Sequence, residues 1–99
     1  MDLEISGKVA LITGSNRGIG KATAITLSKE GVNIALLARN EDLLIETKDE
    51  ISKISPDIKI EYFICDTKDN EQVRKTVLKV EKIFGKIDIL VNCAAALPE

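Results

Sequence analysis

The chain is 99 residues long, the size of one small domain. Hydrophobic residues make up 44% and charged residues 30%, a globular balance that excludes disorder, collagen-like repeats and low-complexity sequence. Lys plus Arg total 14 and Asp plus Glu 16, a formal net charge of −2. With that charge and 3% aromatics, neither a broad nucleic-acid-binding surface nor a base-stacking platform is expected. The absence of histidine removes His-based triads and most zinc sites, and no metal centre is expected. Cys65 and Cys93 form no CxxC pair and read as small buried residues. Apolar runs such as Ile34–Ala38 are far too short to span a membrane. The acidic start Met1-Asp2-Leu3-Glu4 lacks a basic signal-peptide region, so the expected compartment is the cytoplasm.

The near-continuous apolar run Lys8–Thr13 predicts a strand buried on both faces. Residues Gly18–Lys29 predict a helix with Ile19, Ala22, Thr23, Thr26 and Leu27 on its inner stripe, stopped at Gly31. Asn33–Ala38 predicts a second buried strand. A helix over Glu41–Ile54 follows, capped by Asn40, acidic in its first turn, with Leu44, Thr47, Ile51 and Ile54 at helical spacing. Ser55-Pro56-Asp57 is a stop-and-turn signal. Lys59–Cys65 predicts the third strand. Asn70–Phe84 predicts the third helix, with Val73, Val77, Val80 and Phe84 inward and Gly85 as its stop. Ile87–Asn92 predicts the fourth strand, and Cys93–Glu99 reads as a loop.

The order β-α-β-α-β-α-β implies a parallel sheet with crossover helices on both faces. Residues 1–99 are therefore expected to form one α/β unit of Rossmann type, ending after its fourth strand. A doubly wound half of this kind would have strand order 3-2-1-4.

The first strand runs directly into Thr13-Gly14-Ser15-Asn16-Arg17-Gly18-Ile19-Gly20 and then a helix. Gly14 permits a tight turn as the chain leaves the strand. At Gly18 the missing Cβ lets backbone approach a diphosphate, and Gly20 lets the helix pack on the strand. The free N–H groups at the helix start, with roughly half a positive charge, would receive the phosphates. A Walker-type loop is a poor fit, because five residues separate Gly14 from Gly20 and Lys21 is followed by Ala22 rather than a hydroxyl residue. A glycine turn with no ligand is the plain alternative.

Thr13-Gly14-x-x-x-Gly18-x-Gly20, led by Lys8–Thr13, resembles the cofactor fingerprint of the short-chain dehydrogenase/reductase family, and the resemblance runs from about Gly7 onward. It implies an oxidoreductase that passes hydride between a nicotinamide dinucleotide and a small carbonyl or alcohol substrate. Gly14, Ser15, Arg17, Gly18, Ile19 and Gly20 would hold the adenosine and phosphates. The second strand ends in Ala38-Arg39, and Ala38 stands where NAD-preferring members place Asp. A carboxylate there would repel a 2′-phosphate, whereas a guanidinium can hold it bidentately. Arg39, seconded by Arg17, thus points to NADP, with a solvated cap residue as the alternative for Arg39. Asp66 matches the family position that contacts the adenine amine, and can equally be an N-cap or turn residue. Asn92-Cys93-Ala94-Ala95 resembles the family's Asn-Asn-Ala-Gly, with Asn92 and Ala94 matching. For Asn92, fixing the central strand and contacting the cofactor are both consistent with the family.

The family's chemistry resides in a Tyr-x-x-x-Lys motif and an upstream Ser. Tyr62 is the sole tyrosine and is followed four residues on by Asp66, and every serine precedes the fourth strand. No catalytic residue is therefore assigned. The 99 residues read as the adenosine-binding half of a longer enzyme, or as a dinucleotide-binding module without activity. The fourth strand's outer edge is expected to be unpaired, with self-pairing into a homo-oligomer as one consequence.

Overall fold

The computed structural model describes residues 4–14 and 18–93, so Ser15, Arg17 and Ala94 lie outside the described residues. Seven elements follow one another: β1 (Val9–Thr13), α1 (Gly18–Lys29), β2 (Asn33–Ala38), α2 (Glu41–Ile54), β3 (Ile60–Ile64), α3 (Asn70–Phe84) and β4 (Ile89–Asn92). All strand pairs are parallel and the sheet order is β3-β2-β1-β4. The expected α/β architecture and strand order are both realised, and the helix bounds coincide with those expected. β2 also has the expected bounds, whereas β1, β3 and β4 are shorter by one or two residues, because Lys8, Lys59, Cys65, Ile87 and Asp88 lie outside the strands.

Two apolar layers sandwich the sheet. On one face Ala10, Ile12, Ile34, Leu36 and Ile60 pack with Ala24 of α1 and with Leu44 and Ile51 of α2. On the other, Leu11, Ala35, Leu37 and Cys65 pack with Val80 of α3. The central strands β1 and β2 contribute side chains to both layers, which is why they read as unbroken apolar runs. Ile12, Ile34, Leu36 and Leu37 are completely buried, each stabilising the fold by roughly 1.5–3 kcal/mol.

The helix ends follow local chemistry. Asn40 Oδ1 accepts from the Leu43 N–H at 3.1 Å, as expected of a cap. Asp69 caps α3 by accepting from the Glu71 and Gln72 N–H groups, and Gly85 ends it at φ +87°. Gly31 closes α1 at φ +84°, its N–H donating to the Ser28 carbonyl.

Two expected inner rows are corrected. The inner row of α1 is Gly20, Ala24 and Ser28, while Ile19, Ala22 and Thr26 are exposed. Residues four apart share a helix face, and small ones let that face approach the sheet closely. Side-chain volume therefore pointed to the wrong stripe. On α2, Ile54 likewise lies outward, leaving Leu44, Thr47 and Ile51 as the buried row.

Candidate functional site

The carboxyl ends of all four strands meet at one edge of the sheet. β1 lies between β2 and β4, so the connections diverge from it in opposite directions, with α1 and α2 on one face and α3 on the other. Open α/β sheets bind ligands in the crevice at such a switch point.

Gly14 turns the chain out of β1 at φ +69°, a conformation that favours glycine, and its N–H donates to the Leu37 carbonyl at 2.8 Å. Gly18 opens α1 without a left-handed φ, and a Cβ built there meets nothing within 4 Å among the described residues. Nothing in the described fold therefore requires glycine at position 18. Gly20 is buried on the sheet side of α1, the packing role expected of it. Ile19 is 74% exposed beside these glycines.

At the end of β2, Ala38 is buried and Arg39 is exposed. Arg39 forms no ion pair or hydrogen bond among the described residues. Beyond β3, the Cys65 N–H donates to the Ala38 carbonyl at 2.9 Å, tying the two strand ends together. Asp66 forms the turn that follows. Its N–H donates to Gln72 Oε1, its carbonyl accepts from the Asp69 N–H, and its Oδ1 accepts from the Lys68 N–H, each at 3.0 Å. The turn role of Asp66 is thus realised, and Asp69 is the helix cap.

Asn92 ends β4 opposite Thr13. The Thr13 hydroxyl donates to Asn92 Oδ1 at 2.9 Å, and the Cys93 N–H donates to the Thr13 carbonyl at 3.2 Å. Asn92 therefore bridges the ends of β4 and β1 beside the glycine turn. A cavity of about 450 Å³ adjoins this bridge on the α3 face, floored by Leu11, Leu37, Val73, Val77, Ile87 and Leu90, with Thr13, Thr67, Lys68 and Asn92 as polar members. Leu90 is 66% exposed on β4, which is an outer strand of the sheet.

Two contacts had no signal in the sequence reading. At the far end of β4, Asp88 Oδ2 accepts from the Val9 N–H at 2.9 Å while the Asp88 N–H donates to the Val9 carbonyl at 2.9 Å. The Val9 N–H, aided by Lys86 and Lys8, holds the Asp88 carboxyl below its usual range against the opposing effect of desolvation. Tyr62 donates its hydroxyl to Glu41 Oε2 at 2.8 Å. That hydrogen bond, with desolvation and the negative charge of Glu41, raises the phenol above its ordinary value.

No helix among the described residues is long and apolar enough to cross a membrane. The family model for short chain dehydrogenase matches residues 8–99. The chain is 46% identical over 95 residues to a probable 2,4-dienoyl-CoA reductase 3 of Caenorhabditis elegans, covering 95% of this chain and 30% of that protein. It is 40% identical over 92 residues to the NAD(+)-named 15-hydroxyprostaglandin dehydrogenase of Bos taurus, covering 93% of this chain and 35% of the other. Among solved structures, L-sorbose reductase from Gluconobacter frateurii, complexed with NADPH and L-sorbose, superposes with a TM-score of 0.90 at 42% identity, covering 96% of this chain and 36% of that one. NAD+-bound xylitol dehydrogenase gives a TM-score of 0.83 at 38% identity, covering 88% and 33%. The chain thus spans about a third of the length of the relatives it matches, and they include complexes with either nicotinamide dinucleotide.

Proposed function

Because this chain belongs to the short chain dehydrogenase family, we propose that it supplies the adenosine- and diphosphate-binding half of an NADP(H)-dependent oxidoreductase acting on a carbonyl or alcohol substrate. The observation that carries the nucleotide reading is Gly18. It begins a helix at the switch point, and the described fold gives no reason for a missing side chain there. A ligand approaching the backbone gives one, and the N–H groups that a helix start leaves without intrahelical partners suit phosphate oxygens. Gly14, Ile19 and Gly20 shape that end, and Ser15 and Arg17 of the same loop join them by family likeness.

The preference for NADP rests on Arg39. The position before it is Ala38, so no carboxylate stands at the end of β2 to receive ribose hydroxyls. The guanidinium is exposed and unengaged among the described residues, which suits a 2′-phosphate. Asp66 keeps a second carboxylate oxygen outside its turn for the adenine amine, while Asn92 and Ala94 would flank the ribose. When bound, the nicotinamide supplies the hydride chemistry and this chain binds and orients it. No residue of the 99 fits the proton donor, since the Tyr62 hydroxyl is engaged by Glu41 and position 66 is Asp66 rather than Lys. Binding without turnover is the activity expected of these residues alone.

Arg39→Ala tests the cofactor choice. NADPH affinity is expected to fall by roughly tenfold or more, the scale of a charge-assisted hydrogen bond, with NADH affinity unmoved. Equal losses for both nucleotides refute the assignment of Arg39.

A further inference from the structure

Arg39 follows β2 and Glu41 opens α2 only two residues later. Opposite charges this close on an exposed corner attract each other, yet they form no ion pair. The Glu41 carboxylate is held elsewhere, accepting from the Tyr62 hydroxyl at 2.8 Å. Tyr62 lies on β3, whose backbone is fixed to β2 with Tyr62 opposite Leu36. Its ring is further braced by the Lys48 ammonium, 5.8 Å from the ring centroid, and Lys48 is itself paired with Glu61 at 3.2 Å. The donor that holds Glu41 is therefore strand-mounted, whereas Arg39 and Glu41 are exposed residues just after β2 and at the start of α2.

Resting on the reading of Arg39 as the cation for a 2′-phosphate, we propose that Tyr62 is a specificity-determining positioning residue, holding the Glu41 carboxylate away from Arg39 and so keeping the guanidinium free for a ribose phosphomonoester. A released Glu41 would oppose such a ligand twice, by pairing with the guanidinium and by placing a negative charge beside the incoming phosphate. Neither effect touches a nucleotide that lacks the phosphomonoester. A phenol is protonated throughout the neutral range, and the bond to Glu41 raises it further, so the hydroxyl is the donor. Asp42, also exposed in the first turn of α2, is common to every variant below and cancels from their comparison.

The test titrates the 99-residue chain and four variants, Tyr62→Phe, Glu41→Gln, Tyr62→Phe/Glu41→Gln and Arg39→Ala, with NADPH and with NADH. Tyr62→Phe is expected to weaken NADPH about two- to fivefold, the scale of an exposed ion pair, and to leave NADH unchanged. Glu41→Gln loses no NADPH affinity, and the double variant returns to the wild-type value. That rescue distinguishes positioning from a loosened fold, because Glu41→Gln restores no packing. Equal weakening of both nucleotides by Tyr62→Phe, a wild-type response from it, or a double variant no better than Tyr62→Phe overturns the proposal. If Arg39→Ala leaves the NADPH-to-NADH ratio unchanged, the parent reading of Arg39 fails, and the role of Tyr62 falls with it.

Discussion

Gly18→Ala separates a ligand-imposed glycine from a fold-imposed one, because the two demands predict opposite signs for stability. The added methyl meets no described atom within 4 Å and the backbone is helical there. Alanine loses less conformational freedom than glycine in a helix, by about 1 kcal/mol in a helix interior and less at the first position. A gain of about 0.5 kcal/mol corresponds to a rise of roughly 2–4 °C in Tm for a domain of this size. Binding moves the other way. A methyl placed between a helix start and a diphosphate acts like an overpacked contact, costing about 1–3 kcal/mol, or roughly five- to 150-fold in affinity. Thermal melting followed by far-UV circular dichroism, paired with an NADPH titration, reads both quantities. A lower Tm would make Gly18 a structural glycine. A higher Tm with unchanged affinity would remove the diphosphate from the start of α1.

Gly31→Ala is expected to destabilise by about 2–4 kcal/mol, combining left-handed strain with a clash: its Cβ would lie 2.6 Å from Ser6 Oγ. Gly85→Ala, at φ +87° with open space around it, should lose only the conformational part, about 1–2 kcal/mol; equal losses in urea unfolding contradict this. Acid sensitivity is expected at Asp88. Its folded carboxyl titrates below the unfolded value of about 3.9, so its contribution is full above that value and is lost as pH falls through the lowered one. Asp88→Asn should flatten the acid limb of stability against pH, measured by urea unfolding across a pH series, and an unchanged slope refutes the clamp.

The sequence was most informative where a pattern had a single physical cause. β1 and β2 are buried on both faces, so they could only be continuous apolar runs. Asn40 and Gly85 mark helix ends through chemistry local to those ends. The inner row of α1 was illegible because close packing selects small residues, and Gly20, Ala24 and Ser28 carry little hydrophobic signal. The Val9–Asp88 and Glu41–Tyr62 contacts join residues 79 and 21 positions apart. No periodicity records such a meeting, since it depends on which strands become neighbours. The glycine turn and the place of Arg39 after β2 were legible through their order along the chain, whereas the Tyr62–Glu41 bond depends on where β3 delivers a phenol.

The bond between Thr13 and Asn92 gives the centre of the crevice a polarity. A hydroxyl owns a single proton, and here it is committed to the carboxamide's oxygen. The carboxamide keeps both amino hydrogens for a visitor, whereas its oxygen and that of the hydroxyl are each already part of one bond, so a guest at that spot meets its readiest partners in those hydrogens. Ethers, hydroxyl oxygens and carbonyls can take those hydrogens, while an ammonium could address only the two oxygens.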